Sequence, residues 1–137
     1  HATFGAAAFH AARLYLKSIN KATVNADGTD DLAFQFVSDE LNGKSFDGNG
    51  NVRPRHMRSF AGLHQAIYEN SISRIFLGVH WRFDGTTGQS VATMFANAQA
   101  DNTGGVPLGL AIANDIANGN ISPSPVTVVP PPFDATP

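Results

Sequence analysis

Arg74, His80 and Asp84 are the residues whose types and spacing best suit chemistry in this sequence. Arg74 follows Ile67 by seven residues and Phe60 by fourteen, which places it on the apolar face of a helix. A guanidinium does not lose its proton, so a buried one requires an anion. That anion is either a carboxylate of the protein or a bound oxyanion, and the spacing leaves both open.

The position of His80 relative to Arg74 depends on the chain between them. Six residues on an unbroken helix would turn His80 about 240° away from Arg74. Gly78 lets the chain leave helical geometry, so that both side chains can face one pocket. Asp84 can accept the second imidazole N–H if a new helical turn begins near His80. Together with Ser73, these residues form either a candidate oxyanion site or a purely structural network.

Four helices are predicted to position these residues. Apolar residues at spacings of three and four predict one helix from Ala2 to about Asn20. The same pattern predicts a second from near Arg55 to about Leu77, with Gly78 ending it. Further helices are predicted over 90–100 and after the Gly104–Gly105 pair. The first two helices must pack together if His1 and Arg74 are to approach one anion.

The remaining segments predict loops, one extended run and a tail. Residues 32–37 are apolar and aromatic and suit a strand or a buried extended segment, and 42–54 form a polar loop. Six of the eight prolines lie in 122–137, which predicts an extended arm. The predicted fold is all-α, a helical bundle with long loops and little or no sheet. Its helical part is 1–121 and its proline-rich tail is 122–137.

Composition excludes several classes of function. Charged residues make up 15% of the chain and the formal net charge is −2. A nucleic-acid or anionic-membrane partner would require a basic excess, so neither is expected. No apolar run reaches the length of about 20 residues that a membrane span needs. The chain has no cysteine, which removes disulfides and thiolate chemistry without indicating a compartment.

Three groups of residues carry a resemblance to a known superfamily. Residues 73–84 match the Ser-Arg-x5-His-x3-Asp motif of vanadium-dependent haloperoxidases and type 2 phosphatidic acid phosphatases at every fixed position. The start, 1–5, resembles the continuation of that superfamily's Pro-Ser-Gly-His motif from its histidine. Residues 38–43 and 104–109 are similar to fungal vanadium chloroperoxidases in particular.

The resemblance implies an oxidoreductase with vanadate as its cofactor. His80 would bind vanadium directly, and Arg74 would hydrogen-bond the vanadate oxygens and offset their charge. His1 would act as the acid–base group on the opposite side, and Asp84 would support His80. The implied reaction is the oxidation of halide by hydrogen peroxide to hypohalous acid, with the organic substrate and the choice between chloride and bromide left open.

Two elements of the superfamily pattern are absent from this sequence. The Pro-Ser-Gly that precedes the motif histidine and an earlier Lys-x6-Arg-Pro element do not occur. The chain therefore holds about half of the expected anion cage, and an N-terminal chain or segment is expected to supply the rest. The start at His1, with no methionine or leader, suggests a piece of something longer.

Two alternatives remain beside the haloperoxidase. One is an acid phosphatase of the same superfamily, in which His80 would attack phosphorus and His1 would protonate the leaving group. Vanadate and phosphate are close analogues, so the core motif does not separate the two enzymes. The other alternative is a non-catalytic helical fragment. The segments at 38–43 and 104–109 favour the haloperoxidase.

Overall fold

The computed structural model describes residues 1–120, in which helices predominate. The helices are α1 (Ala2–Ser18), α2 (Leu63–Phe76), α3 (Arg82–Gly85), α4 (Val91–Ala100) and α5 (Gly105–Ala117). Between α1 and α2 lie strand β1 (Phe34–Val37), a short 3-10 helix (Asp39–Leu41) and strand β2 (Met57–Phe60). None of the helices within 1–120 has the length and apolar character needed to cross a membrane.

Helices α1 and α5 lie side by side in parallel and form the most extensive helix contact. A Cβ on Gly105 would lie 2.9 Å from the Thr3 backbone nitrogen, and one on Gly109 would lie 2.4 Å from the Thr3 carbonyl oxygen. Both distances are far below van der Waals contact. Glycine at these two positions therefore lets the two helix backbones approach closely, which fixes the start of α1 against the start of α5.

Helix α2 packs against α1, as the sequence predicts. Gly5 of α1 meets Asn70 of α2, and the Asn70 side-chain amide donates to the His1 carbonyl over 2.9 Å. The start of α1 is thereby tied to the second half of α2. The hydrophobic core joins α1, α2, α4 and α5 through Ala6, Ile67, Met94, Phe95 and Val106.

The one sheet among the described residues is small, in keeping with the prediction of little or no sheet, but the predicted start of the second helix near Arg55 is wrong, because α2 begins at Leu63. Residues 57–60 form β2, which pairs antiparallel with β1 in the register Phe34 to Phe60. The rings of Phe34 and Phe60 stack at a centroid distance of 4.9 Å, and Phe36 stacks on the same ring at 5.8 Å. The spacing between Phe60 and Ile67 is helical, so periodicity alone places Phe60 on the second helix. In the structure Phe60 pairs instead with Phe34 of β1, a strand that comes much earlier in the chain.

Most other predicted elements are confirmed, with small shifts of boundary. β1 falls within the predicted extended run, and α4 begins one residue after Ser90, whose hydroxyl accepts from the Thr93 N–H. Gly78, with φ of +70°, lies just past the end of α2 as predicted. α5 begins at Gly105 and the chain is mostly helical. The proline-rich arm lies outside the described residues.

A buried carboxylate, Asp30, holds α1 and α2 in place. Its oxygens accept the backbone N–H of Leu63 at 2.9 Å and of His64 at 2.8 Å, so that a distant loop residue caps α2. Arg13 Nε of α1 lies 2.9 Å from Asp30 Oδ2, and both side chains are fully buried. Burial alone would raise the pKa of Asp30, but hydrogen bonds from His64, Leu32 and Leu63 and the charge of Arg13 hold it below its ordinary value.

Replacing Asp30 with alanine is expected to lower the free energy of unfolding by about 3–5 kcal/mol, because Arg13 would be buried without its partner. Chemical denaturation of the complete protein measures this loss. Asp31→Ala is the matched control, since this neighbouring carboxylate is exposed and accepts only the Thr23 N–H. Equal effects of the two substitutions would contradict the assignment.

His10 of α1 should make stability pH-dependent. Burial, followed by the charge of Arg13, lowers the pKa of His10 from 6.5 to about 4, and its Nδ1 lies 3.2 Å from Arg13 Nη1. The unfolded chain therefore binds a proton at a higher pH than the folded chain. Stability contributed by neutral His10 is present above pH 6.5 and is lost as the pH falls toward 4.

A His10→Asn variant should show a smaller loss of stability between pH 6.5 and 4 than the wild type, as measured by denaturant titration at each pH. The lowered pKa of Asp30 acts at lower pH, below its ordinary value of 3.8, so the two effects are separable. Identical slopes for the variant and the wild type across this window would show that His10 is not the responsible group.

Candidate functional site

A small cleft of about 130 Å³ lies where the start of α1 meets the end of α2 and the connection to α3. It brings together four of the residues that the sequence singled out, His1, Arg74, His80 and Asp84, but not Ser73. Its lining consists of His1, Ala2, Thr3, Ser71, Arg74, His80, Asp84 and Gly85. Residues separated by more than 70 positions along the chain thus share one cleft because α1 and α2 pack with the start of one beside the end of the other.

Arg74 lies in the last turn of α2 and is half-buried. Its Nε is fully buried and has no hydrogen-bond partner among residues 1–120. No carboxylate of these residues forms a salt bridge with it. Of the two anions that the sequence left open, the described part of the chain does not supply the carboxylate, so the guanidinium is available to a bound oxyanion.

His80 and Asp84 are joined across the start of α3. Gly78 turns the chain out of α2 with φ of +70°, and His80 then lies beside Arg74 in the cleft. The Nδ1 atom of His80 is 3.2 Å from Asp84 Oδ2, which also accepts the Trp81 backbone N–H at 3.0 Å. A carboxylate can only accept, so this contact favours the arrangement with hydrogen on Nδ1.

His1 stands at the start of α1 and lines the same cleft. Its carbonyl accepts from the Gly5 N–H at 2.9 Å and from the Asn70 side chain at 2.9 Å, so its backbone is fixed from both helices. No side chain caps the first turn of α1. The unpaired N–H groups and the positive end of the helix dipole at Ala2 and Thr3 favour an anion at this place.

The two serines of α2 lie differently with respect to the cleft. Ser73, which stands beside Arg74 in the motif, donates to the Asn70 carbonyl at 2.8 Å and is not part of the cleft lining. Ser71 lines the cleft instead, with a buried hydroxyl. The available signal was its spacing, since residues three apart share a helix face and Ser71 precedes Arg74 by three.

The donor set of the cleft fits a compact oxyanion. It combines a guanidinium nitrogen and a hydroxyl that are buried without partners, a helix N-terminus and an imidazole. Groups of this kind bind negatively charged oxygens. Within 1–120 no three His, Asp or Glu side chains cluster as ligands of a metal ion. The donors that line the cleft suit a compact oxyanion.

Large apolar side chains close in sequence to the lining residues are exposed. Phe4, next to Thr3, is 83% exposed, and Phe76, two residues after Arg74, is 85% exposed. Further exposed side chains in this region are Leu77, Val79, Trp81 and Phe83. Clustered exposure of this kind is typical of a surface that contacts another polypeptide.

The fold and cleft define a helical-bundle domain with an oxyanion-binding donor set. A family model described as the VCPO second helical-bundle domain matches residues 1–106. The chain belongs to this family. Vanadium chloroperoxidase from Curvularia inaequalis is 33% identical to it over 177 residues. That alignment covers 96% of this chain and 29% of the relative, so the chain spans less than a third of that protein's length.

These comparisons confirm the resemblance to vanadium haloperoxidases that the motifs indicated. They also agree with the predicted helical-bundle fold. The family model covers most of the chain.

Arg74→Ala should cost little stability in the anion-free protein, because this substitution removes a cation that lacks a counter-charge. Added orthovanadate should stabilise the wild type by about 2.7 kcal/mol at a concentration 100 times Kd, and should stabilise the variant much less. Thermal melting of both complete proteins, with and without vanadate, measures the difference. Equal destabilisation in both conditions would instead indicate a structural ion pair.

Proposed function

We propose that this chain supplies part of the active site of a vanadium-dependent haloperoxidase, which oxidises halide with hydrogen peroxide to hypohalous acid. The observation that carries the proposal is the buried, unpaired Arg74 Nε in the same cleft as the Asp84-bound imidazole of His80. Membership of a family named for vanadium chloroperoxidase supports it. The 33% identical relative is itself a vanadium chloroperoxidase.

His80 and Arg74 would hold the cofactor. Asp84 would accept from Nδ1–H, which would direct Nε2 toward vanadium. Arg74 would donate to the vanadate oxygens and offset their negative charge. When bound, vanadate supplies a Lewis acid that activates hydrogen peroxide toward halide without a change in oxidation state. The protein's task is then to keep these donors fixed and to exclude competing acceptors.

His1 would move protons in this site. His1 is exposed and lines the same cleft as His80. An imidazole can both take and give a proton near neutral pH, so it suits a reaction in which a peroxide oxygen changes its protonation state. The two hydrogen bonds to the His1 carbonyl fix the backbone from which this side chain projects.

We further propose that another chain or segment completes the cage around the oxyanion. Residues 1–120 bring one arginine and no lysine to the cleft, whereas vanadate carries several negative charges. Exposed apolar side chains near the lining residues in sequence, Phe76 and Trp81 among them, would give that segment a surface to cover. In this proposal residues 1–121 form the helical part of the vanadate-binding domain and 122–137 form a proline-rich tail.

His80→Ala should abolish vanadate binding and leave the fold intact, because no other imidazole of 1–120 besides His1 reaches the cleft. Vanadium content and the melting temperature of the complete protein measure the two effects. His56→Ala is the matched control, since His56 is exposed and lies before β2, outside the cleft. Full vanadium occupancy in His80→Ala would overturn the ligand assignment.

Activity assays separate the haloperoxidase from the phosphatase alternative. The complete protein should halogenate a dye in the presence of vanadate, halide and hydrogen peroxide, and this activity should be lost in His80→Ala. Hydrolysis of an aryl phosphate that depends on His80, without halogenation, would instead favour an acid phosphatase. Neither activity in a protein that binds vanadate would favour a non-catalytic fragment.

A further inference from the structure

Ser71 carries a hydroxyl that the fold buries without satisfying. The residue is 3% exposed, and its Oγ has no hydrogen-bond partner among residues 1–120. A buried, unpaired hydroxyl is unfavourable, and such groups in proteins usually face a ligand or water. Ser71 lines the cleft that holds Arg74 and His80.

Gly85 of α3 provides the space that this hydroxyl occupies. A Cβ on Gly85 would lie 2.3 Å from Ser71 Oγ, but 3.5 Å from the Ser71 Cβ and carbonyl oxygen, which is ordinary contact. Gly85 is not among the residues with positive φ, so the backbone does not require glycine there. The missing side chain therefore makes room for the Ser71 hydroxyl in particular.

Ser71 and Arg74 lie three residues apart on one face of α2. Each presents a buried polar atom without a partner, and both belong to the same cleft lining. We propose that the Ser71 hydroxyl donates a hydrogen bond to the bound oxyanion next to Arg74, and that Gly85 is the residue that permits it. This inference rests on the oxyanion site of the proposed function and adds a specific binding residue to it.

The test is the affinity of the complete protein for orthovanadate and for inorganic phosphate. Ser71→Ala should weaken binding of both anions by roughly tenfold to a hundredfold, as expected for one hydrogen bond to a charged acceptor. The melting temperature without anion should stay the same or rise, because an unpaired hydroxyl is removed. Ser59→Ala, an exposed serine on β2, is the control and should bind like the wild type.

Gly85→Ala provides a second, independent variant. Its methyl group would displace the Ser71 hydroxyl, so it should also weaken binding of both anions and lower the melting temperature. In the Ser71→Ala variant the methyl group of Gly85→Ala would meet only ordinary van der Waals contacts. Adding Gly85→Ala to Ser71→Ala should therefore lower neither the anion affinity nor the melting temperature further. This non-additivity would not arise if Gly85 were needed for the backbone alone.

The outcomes distinguish this inference from the proposed function. Wild-type affinity in Ser71→Ala, together with loss of vanadate in His80→Ala, would overturn the role of Ser71 and leave the oxyanion site standing. Additive effects of the Ser71 and Gly85 substitutions would also overturn it. Failure of the wild type to bind either anion would overturn both the inference and the proposed function.

Discussion

The buried carboxylate of Asp30 is the constraint on which the arrangement of this domain depends. It accepts backbone N–H groups at the start of α2 and pairs with Arg13 in the middle of α1. Both charges are withdrawn from water, so a movement of α1 would leave a buried charge unpaired, and a movement of α2 would break the hydrogen bonds from its first N–H groups to Asp30. One end of α2 is thereby fixed relative to α1, and the helix contact at Gly5 and Asn70 fixes the rest.

The end of the α1–α2 pair where the start of α1 meets the end of α2 has the opposite electrostatic character to the end that Asp30 holds. There the fold assembles donors without acceptors: the first turn of α1, the guanidinium of Arg74 and the hydroxyl of Ser71. Collecting unpaired donors is unfavourable in the empty protein, and the pairing at Asp30 helps to offset that cost. Such a preorganised donor set binds an oxyanion without having to rearrange.

The surface around the cleft suggests how the site is enclosed. A vanadate ion in an open cleft would be exposed to water, and its interactions with Arg74 would be weakened by solvent. Phe4, Phe76 and Trp81, each close in sequence to a residue of the lining, have exposed aromatic side chains. A segment that covers them would bury apolar surface and exclude water from the donors at once, so assembly and cofactor binding would be coupled.

The sequence by itself determined the helical character, the motif residues and the family. Helical spacing predicted α1, α4 and α5, and the run from Arg74 to Asp84 indicated oxyanion chemistry. Both are local patterns of residues that lie close together in the chain. Gly78 predicted the turn between Arg74 and His80 for the same reason: a glycine's backbone freedom is a local property.

Only the tertiary structure decided features that depend on distant residues. The pairing of β2 with β1, the capping of α2 by Asp30 and the burial of Arg13 each join residues 17 or more positions apart. No local pattern encodes such contacts. The choice of Ser71 over Ser73 depended on which face of α2 meets the start of α1 and on the space left by Gly85. Close packing between elements, rather than residue type, therefore set the final membership of the site.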